Sequence, residues 1–279
     1  NRKAKVTKAA WRIAKDARHV WLLTATPIRN RPDELWSLLR CIDPDNFTSY
    51  WKWVERFCYI THNGYGVEVV GLREDRRNLF SQTIAPYFLR RERSEILDLP
   101  PLTEETVWVT LGGTQRKVYR EMETQMLTLV GDEARPDLLI AENVLSQLTR
   151  LRQLATCPEV LGAGEGAKTQ WLRENLPDLM EDHQVLLFTS FAQYAHVLGR
   201  GGTDQYTSWS VAWPLTGDML TTERERTLRY FHSGAAKAIV GTYGAMGTGL
   251  NLQEADIVIL LDLPWTPDDV EQAIGRAHR

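Results

Sequence analysis

Residues 257–279 read IVILLDLPWTPDDVEQAIGRAHR, an apolar run that gives way to a helix. The run at 257–262 is short, continuous and rich in β-branched residues, as in a strand covered on both faces. Thr266 stands where it can cap a helix, Pro267 suits the first turn, and Asp268 and Asp269 suit the positive end of its dipole. On that helix Gln272, Arg276 and Arg279 fall at i, i+4 and i+7 and share one face. Guanidinium forks match phosphate oxygens and neutralise charge on a polyphosphate. Two arginines on a helix are ordinarily a solvated face, so the stretches upstream must decide.

Upstream, residues 238–242 and 185–189 are two more short apolar runs, each followed by a turn and a helical stretch. Helix and strand alternate from residue 168 onward, the mark of an α/β chain with a parallel sheet and crossover helices. The strand at 185–189 ends on Ser190, which either bonds a phosphate or caps the next helix. Thr216 and Gly217 precede a capping-box pattern at 222–225 that opens a helix to Phe231. Gly247, Thr248 and Gly249 form a turn where a phosphate can approach bare backbone, with the Asn251 amide close by. Pro177 is expected to break the helix over 168–182.

The first half begins with a basic helical stretch over 1–18. A short strand is expected at 20–24, running into Thr24, Thr26 and Pro27, then a helix over 33–41. The aromatics between Phe47 and Phe88 are read as core rather than as base-stacking platforms. Gly64 and Gly66 mark a turn. Arg90, Arg91 and Arg93 are either a phosphate patch or partners for nearby glutamates. A strand is expected at 105–111, a helix over 114–130, and a packing helix within 143–158. The small residues at 162–167 read as a linker.

The 279 residues are enough for one large domain or two ordinary ones. Apolar content of 43% and charged content of 25% are ordinary for a globular protein. A net charge of −3 means any nucleic-acid contact comes from local patches. Three cysteines in no C-x-x-C pairing argue against a disulfide framework or a zinc site. No apolar run is long enough to span a bilayer.

In this context QAIGRAHR at 272–279 resembles the sixth signature motif of superfamily-two helicases, in its Swi/Snf-type form. LTATPIRNRPDELWSLLRCIDP resembles the third motif with its flank, the T-S-F-A at 189–192 the fourth, and GTYGAMGTGLNLQEADIVILLDLPW the fifth. LRQLATCPEVL is similar to a packing helix of the same family. The resemblance implies RecA-like lobes. Residues 1–41 would end the first lobe, 42–161 would form a helical insertion with a return strand, 162–167 the linker, and 168–279 the second lobe.

It implies a DNA-dependent ATPase that moves on double-stranded DNA. Arg276 and Arg279 would act as fingers on the ATP γ-phosphate, with Gln272 and Gly247 at the nucleotide. Thr24 and Thr26 would couple the lobes. Ser190, Thr216, Gly217, Thr248, Gly249 and Asn251 would meet the DNA backbone. Mg²⁺ ligands and a phosphate loop are expected upstream, since no G-x-x-x-x-G-K-[ST] occurs in the chain, so the chain reads as a portion of a longer protein, inactive alone. The resemblance implies no membrane partner and names no protein partner. The setting would be intracellular, either a bacterial or phage-infected cytoplasm or a nucleus. A strand-separating helicase and a non-catalytic DNA-binding scaffold are the rival readings.

Overall fold

Residues 185–189, VLLFT, form the strand on which the second half of the chain is built, and all five are fully buried. The structure is a computed structural model describing residues 2–24, 27–28, 31–62, 64, 66–91, 101–132, 135–199, 214–247 and 249–278. It divides into two units, Asn1–Asp98 and Leu99–Arg279.

In the first unit, α1 (Lys5–Asp16) precedes α2 (Leu35–Ile42), α3 (Tyr50–Phe57), a hairpin of β1 (Cys58–His62) and β2 (Val67–Leu72), and α4 (Arg77–Ile84). Leu35, Trp36 and Leu39 recur on one face of α2 and enter a core with Phe47, Trp53, Phe57 and Phe80. Ring centroids of Trp53 and Phe57 lie 4.6 Å apart and those of Phe57 and Phe80 5.5 Å. The aromatic stretch is therefore core at these positions, while Trp51, Tyr59 and Phe88 are exposed. Arg40 donates to the carbonyls of Phe47 and Thr48 and satisfies the loop before α3. Gly64 has φ 81°, which only glycine adopts readily, and turns the hairpin.

The expected strand at 20–24 is not formed. Trp21 is 86% and Leu23 95% exposed, and no described strand pairs with them. An apolar run becomes a strand only when a neighbouring backbone completes its ladder.

In the second unit, α5 (Gly113–Gln125) leads into a hairpin of β3 (Leu127–Asp132) and β4 (Arg135–Ile140), then α6 (Val144–Thr156). The expected strand at 105–111 is likewise absent, with Trp108 90% exposed. The helix expected to reach residue 130 stops at Met126, whose φ of 59° reverses the chain into β3. Thr128 then donates to Glu121 across that reversal.

The sheet follows. Helix α7 (Ala167–Asp182) leads to β5 (Val185–Thr189), α8 (Ala192–Gly199), α9 (Thr221–His232), β6 (Ala238–Thr242), α10 (Tyr243–Met246), β7 (Ile257–Leu260) and α11 (Pro267–Ala277). The three strands are parallel in the order β6-β5-β7, as the alternation predicts. Val185 and Leu187 face a core with Leu172, Leu176, Tyr194 and Leu198, while Leu186 and Phe188 face another with Phe231, Leu252 and Ala273. Each such side chain contributes roughly 1.5–3 kcal/mol by leaving water. Pro177 does not break α7, because Leu172 and Leu176, both fully buried, hold the helix on the sheet across it. At the start of α9 the Glu223 carboxylate accepts the Leu220 N–H at 3.4 Å.

Candidate functional site

The loop that leaves β6 is shaped by its hydrogen bonds. Thr242 caps α10 by accepting the Ala245 N–H at 3.3 Å, and the Gly247 N–H closes the turn on the Tyr243 carbonyl at 2.7 Å. A Cβ on Gly247 would lie 2.3 Å from that carbonyl oxygen, so only glycine fits. Gly249 has φ 74° and, like Asn251, is exposed.

Helix α11 comes down beside this loop. Thr266 occupies its cap position, and its hydroxyl donates to Asp269 at 2.5 Å. Ala273 and Gly275 are the buried residues of the helix. Arg276 donates through Nη1 to the Leu250 carbonyl at 2.9 Å and through Nη2 to the Gly247 carbonyl at 2.5 Å. Gln272 Oε1 lies 3.9 Å from where a Cβ of Gly247 would stand. Gly247, Gln272 and Arg276 are thus brought together. The guanidinium is held by two backbone carbonyls. Thr26, Thr248 and Arg279 lie outside the described residues, as does Arg93. Thr24 is exposed and lies in the other unit.

At the carboxyl ends of β5 and β7 a second cluster forms around Asp262, whose side chain is 5% exposed. Its carboxylate accepts the Thr189 hydroxyl at 2.7 Å, the Ser190 N–H at 2.9 Å, the Ser190 hydroxyl, and Arg152 Nη2 at 3.2 Å. Ser190 is exposed as a residue, yet its one hydroxyl proton is committed to Asp262. Tyr243, at the head of the Gly247 loop, donates its hydroxyl to the Asp262 carbonyl at 2.5 Å and joins the two clusters. Burial, with the Asp262 charge nearby, pushes the Tyr243 hydroxyl well above its ordinary pKa, so it stays a donor. Lys168 Nζ donates to the Leu261 carbonyl, and burial pulls its ammonium pKa down.

Thr216 is buried, 3.4 Å from His196 Nε2, beneath an open Gly217. Hydrogen bonding from Thr216 foremost, then from the backbone and His196, holds the Asp218 carboxyl below its usual range.

Asp262, Arg152 and Tyr243 lie within stretches that carry the family resemblance, but the sequence assigned none of them a role. The one available signal is that a buried tyrosine needs a partner for its hydroxyl. Residues 162–169, GAGEGAKT, differ from a phosphate-loop pattern at Ala167. The structure turns this stretch inward. The Glu159 carboxylate accepts the Gly166 N–H at 2.7 Å, and buried Thr169 bonds the Tyr194 hydroxyl at 2.8 Å. Among the described residues no three His, Cys, Asp or Glu side chains gather as metal ligands.

A family described as "SNF2-related domain" matches residues 1–160, and "Helicase conserved C-terminal domain" matches residues 167–279. The chain is 27% identical over 287 residues to the chromatin structure-remodeling complex subunit snf21 of Schizosaccharomyces pombe, covering 94% of this chain and 24% of that protein. It is 27% identical over 283 residues to the transcription regulatory protein SNF2 of Saccharomyces cerevisiae, covering 92% of this chain and 16% of that one. The chain therefore spans a quarter or less of these relatives. Among solved structures, the Sulfolobus solfataricus SWI2/SNF2 ATPase core domain is similar at 23% identity with a TM-score of 0.49, covering 88% of this chain and 51% of that one. The same core in complex with dsDNA gives 24% identity and a TM-score of 0.44, covering 100% and 58%. With the first of these family descriptions matching more than half of its residues, the chain belongs to the SNF2-related family.

Proposed function

We propose that this chain is part of an ATP-driven motor that moves along double-stranded DNA without separating its strands. The observation that carries the proposal is the junction of α11 with the loop after β6, where Arg276 meets Gly247 and Leu250 beside Gln272. A guanidinium held at that junction is suited to meet a developing phosphoryl charge. On this reading ATP is the substrate, Arg276 and Arg279 act at its γ-phosphate, and Gln272 and Gly247 line the nucleotide. Mg²⁺ would be held by carboxylates elsewhere in the whole protein. Gly217, Gly249, Thr248 and Asn251 would offer backbone and side-chain donors to DNA phosphates, which position without reading sequence. Ser190 and Thr216 would support that surface, since both hydroxyls are engaged internally. Thr24 and Thr26 would couple nucleotide and DNA.

We place the boundary between the two lobes at 162–167, with 1–41, 42–161 and 168–279 as the segments around it. The Gly166 and Ala167 N–H groups are bonded to Glu159 and Gln115, which makes this joint pinned rather than a loose tether. An intracellular place beside the cell's DNA follows from the function, and relatives with nuclear or chromatin names support it. No helix of the described residues is long and apolar enough to cross a membrane. The test is phosphate release by the full-length protein with and without duplex DNA. Stimulation by intact duplex is the expected result; equal release in both conditions would contradict the proposal.

A further inference from the structure

Arg152 on α6 reaches three points on the stretch that joins β7 to α11. Its Nη2 lies 3.2 Å from Asp262 Oδ1 and 2.6 Å from the Leu263 carbonyl oxygen, and its Cζ lies 4.6 Å from the Trp265 ring centroid. The same nitrogen is 3.3 Å from Ser190 Oγ. The joining stretch has no helix or strand of its own; Leu261 and Asp262 are buried at its start, but beyond them Leu263 is 67% and Trp265 69% exposed, so apolar packing holds the 263–265 part only weakly. Directly after it stands Thr266, the cap of the helix that carries Gln272 and Arg276.

We propose that Arg152 is a positioning residue for α11. By fixing the Leu263 carbonyl and the Trp265 ring, it sets where α11 begins and so where Arg276 meets the 247–250 loop. Arginine suits this task because one planar group can form several charge-assisted bonds and stack on an indole at once. Lysine can supply the charge and not the rest. Arg152 touches Ser190, which supports the proposed DNA surface, but none of the residues proposed to meet ATP or the DNA phosphates directly, and it acts through the residues it holds. It also makes α6 and α11 move together, although residues 162–167 lie between them in the chain. The bearing on catalysis rests on reading Arg276 as the phosphate-facing arginine; the positioning claim does not.

Amide hydrogen exchange on the full-length protein tests this with Arg152→Gln and Arg152→Lys. The expected result is exchange about tenfold faster across 263–274 in Arg152→Gln, with β5 and β6 changed less than about twofold. Arg152→Lys should fall between Arg152→Gln and the wild type. Unchanged exchange across 263–274 in both variants would overturn the proposal. A uniform rise over β5, β6 and α11 would overturn it too, by making Arg152 a general stability residue. If Arg152→Gln does not fold, the same comparison in Arg152→Lys decides. In the full-length protein, Arg152→Gln should lower the kcat of DNA-stimulated ATP hydrolysis about tenfold and leave KM for ATP within about twofold. An unchanged kcat beside faster exchange would overturn its bearing on catalysis. A wild type without DNA-stimulated hydrolysis would contradict the motor reading, and the exchange result would still decide the positioning claim.

Discussion

Arg276 Nη2 lies 2.5 Å from the carbonyl oxygen of Gly247, a residue 29 positions earlier in the chain. The bond ties the last helix to a glycine turn that no larger residue can enter. It joins the two stretches that the proposed motor requires at one nucleotide.

Gly247→Ala should destabilise the second unit by roughly 1–3 kcal/mol, because the added methyl meets the Tyr243 carbonyl at 2.3 Å and the backbone has to move. Gly244→Ala is the control, since its Cβ would meet nothing within 4 Å. Urea unfolding of both variants checks this. Equal midpoints would show that the turn is looser than described.

In the full-length protein, Arg276→Ala should lower kcat by about 10³, the scale of a lost arginine finger. Arg276→Lys should recover little, since an ammonium cannot hold both the Gly247 and Leu250 carbonyls in the same fork. Steady-state kinetics with circular dichroism as a fold control measures this. A folded Arg276→Ala protein with near-normal turnover would make the residue a structural tie alone.

Much of this site was legible in the sequence, and the reasons are physical. β5, β6 and β7 are covered on both faces and so carry continuous apolar runs, while α11 carries its proline and acidic first turn in view. Residues 20–24 carry a similar apolar run and 105–111 alternate as a strand would, yet a strand also needs a partner, which no local pattern supplies. The β3–β4 hairpin was hidden because Met126 takes a left-handed turn at a residue with no glycine to announce it. Pro177 argued for a break that the packing of Leu172 and Leu176 overrides. The Arg152–Asp262 pair spans 110 positions, and a contact at that separation leaves no mark in spacing.

Asn251→Ala should weaken binding of the full-length protein to unrelated duplexes by similar factors and leave its salt dependence unchanged, because a contact to phosphate carries no sequence information and a neutral amide releases no counterion. Binding isotherms on two duplexes of different composition at several salt concentrations test it. A loss confined to one duplex would mean that Asn251 reads bases.

The central claim is tracking along intact duplex, and it is tested most directly by strand displacement with the full-length protein and ATP. One substrate is a triplex whose third strand is released by motion along the duplex; the other is a fork with one labelled strand. A motor that grips phosphates can move without opening the pairs, whereas unwinding must offset stacking of about 1.4 kcal/mol per step. Release of the third strand with the fork left intact is the predicted result. Efficient release of the forked strand with no loss of the third strand would contradict the account.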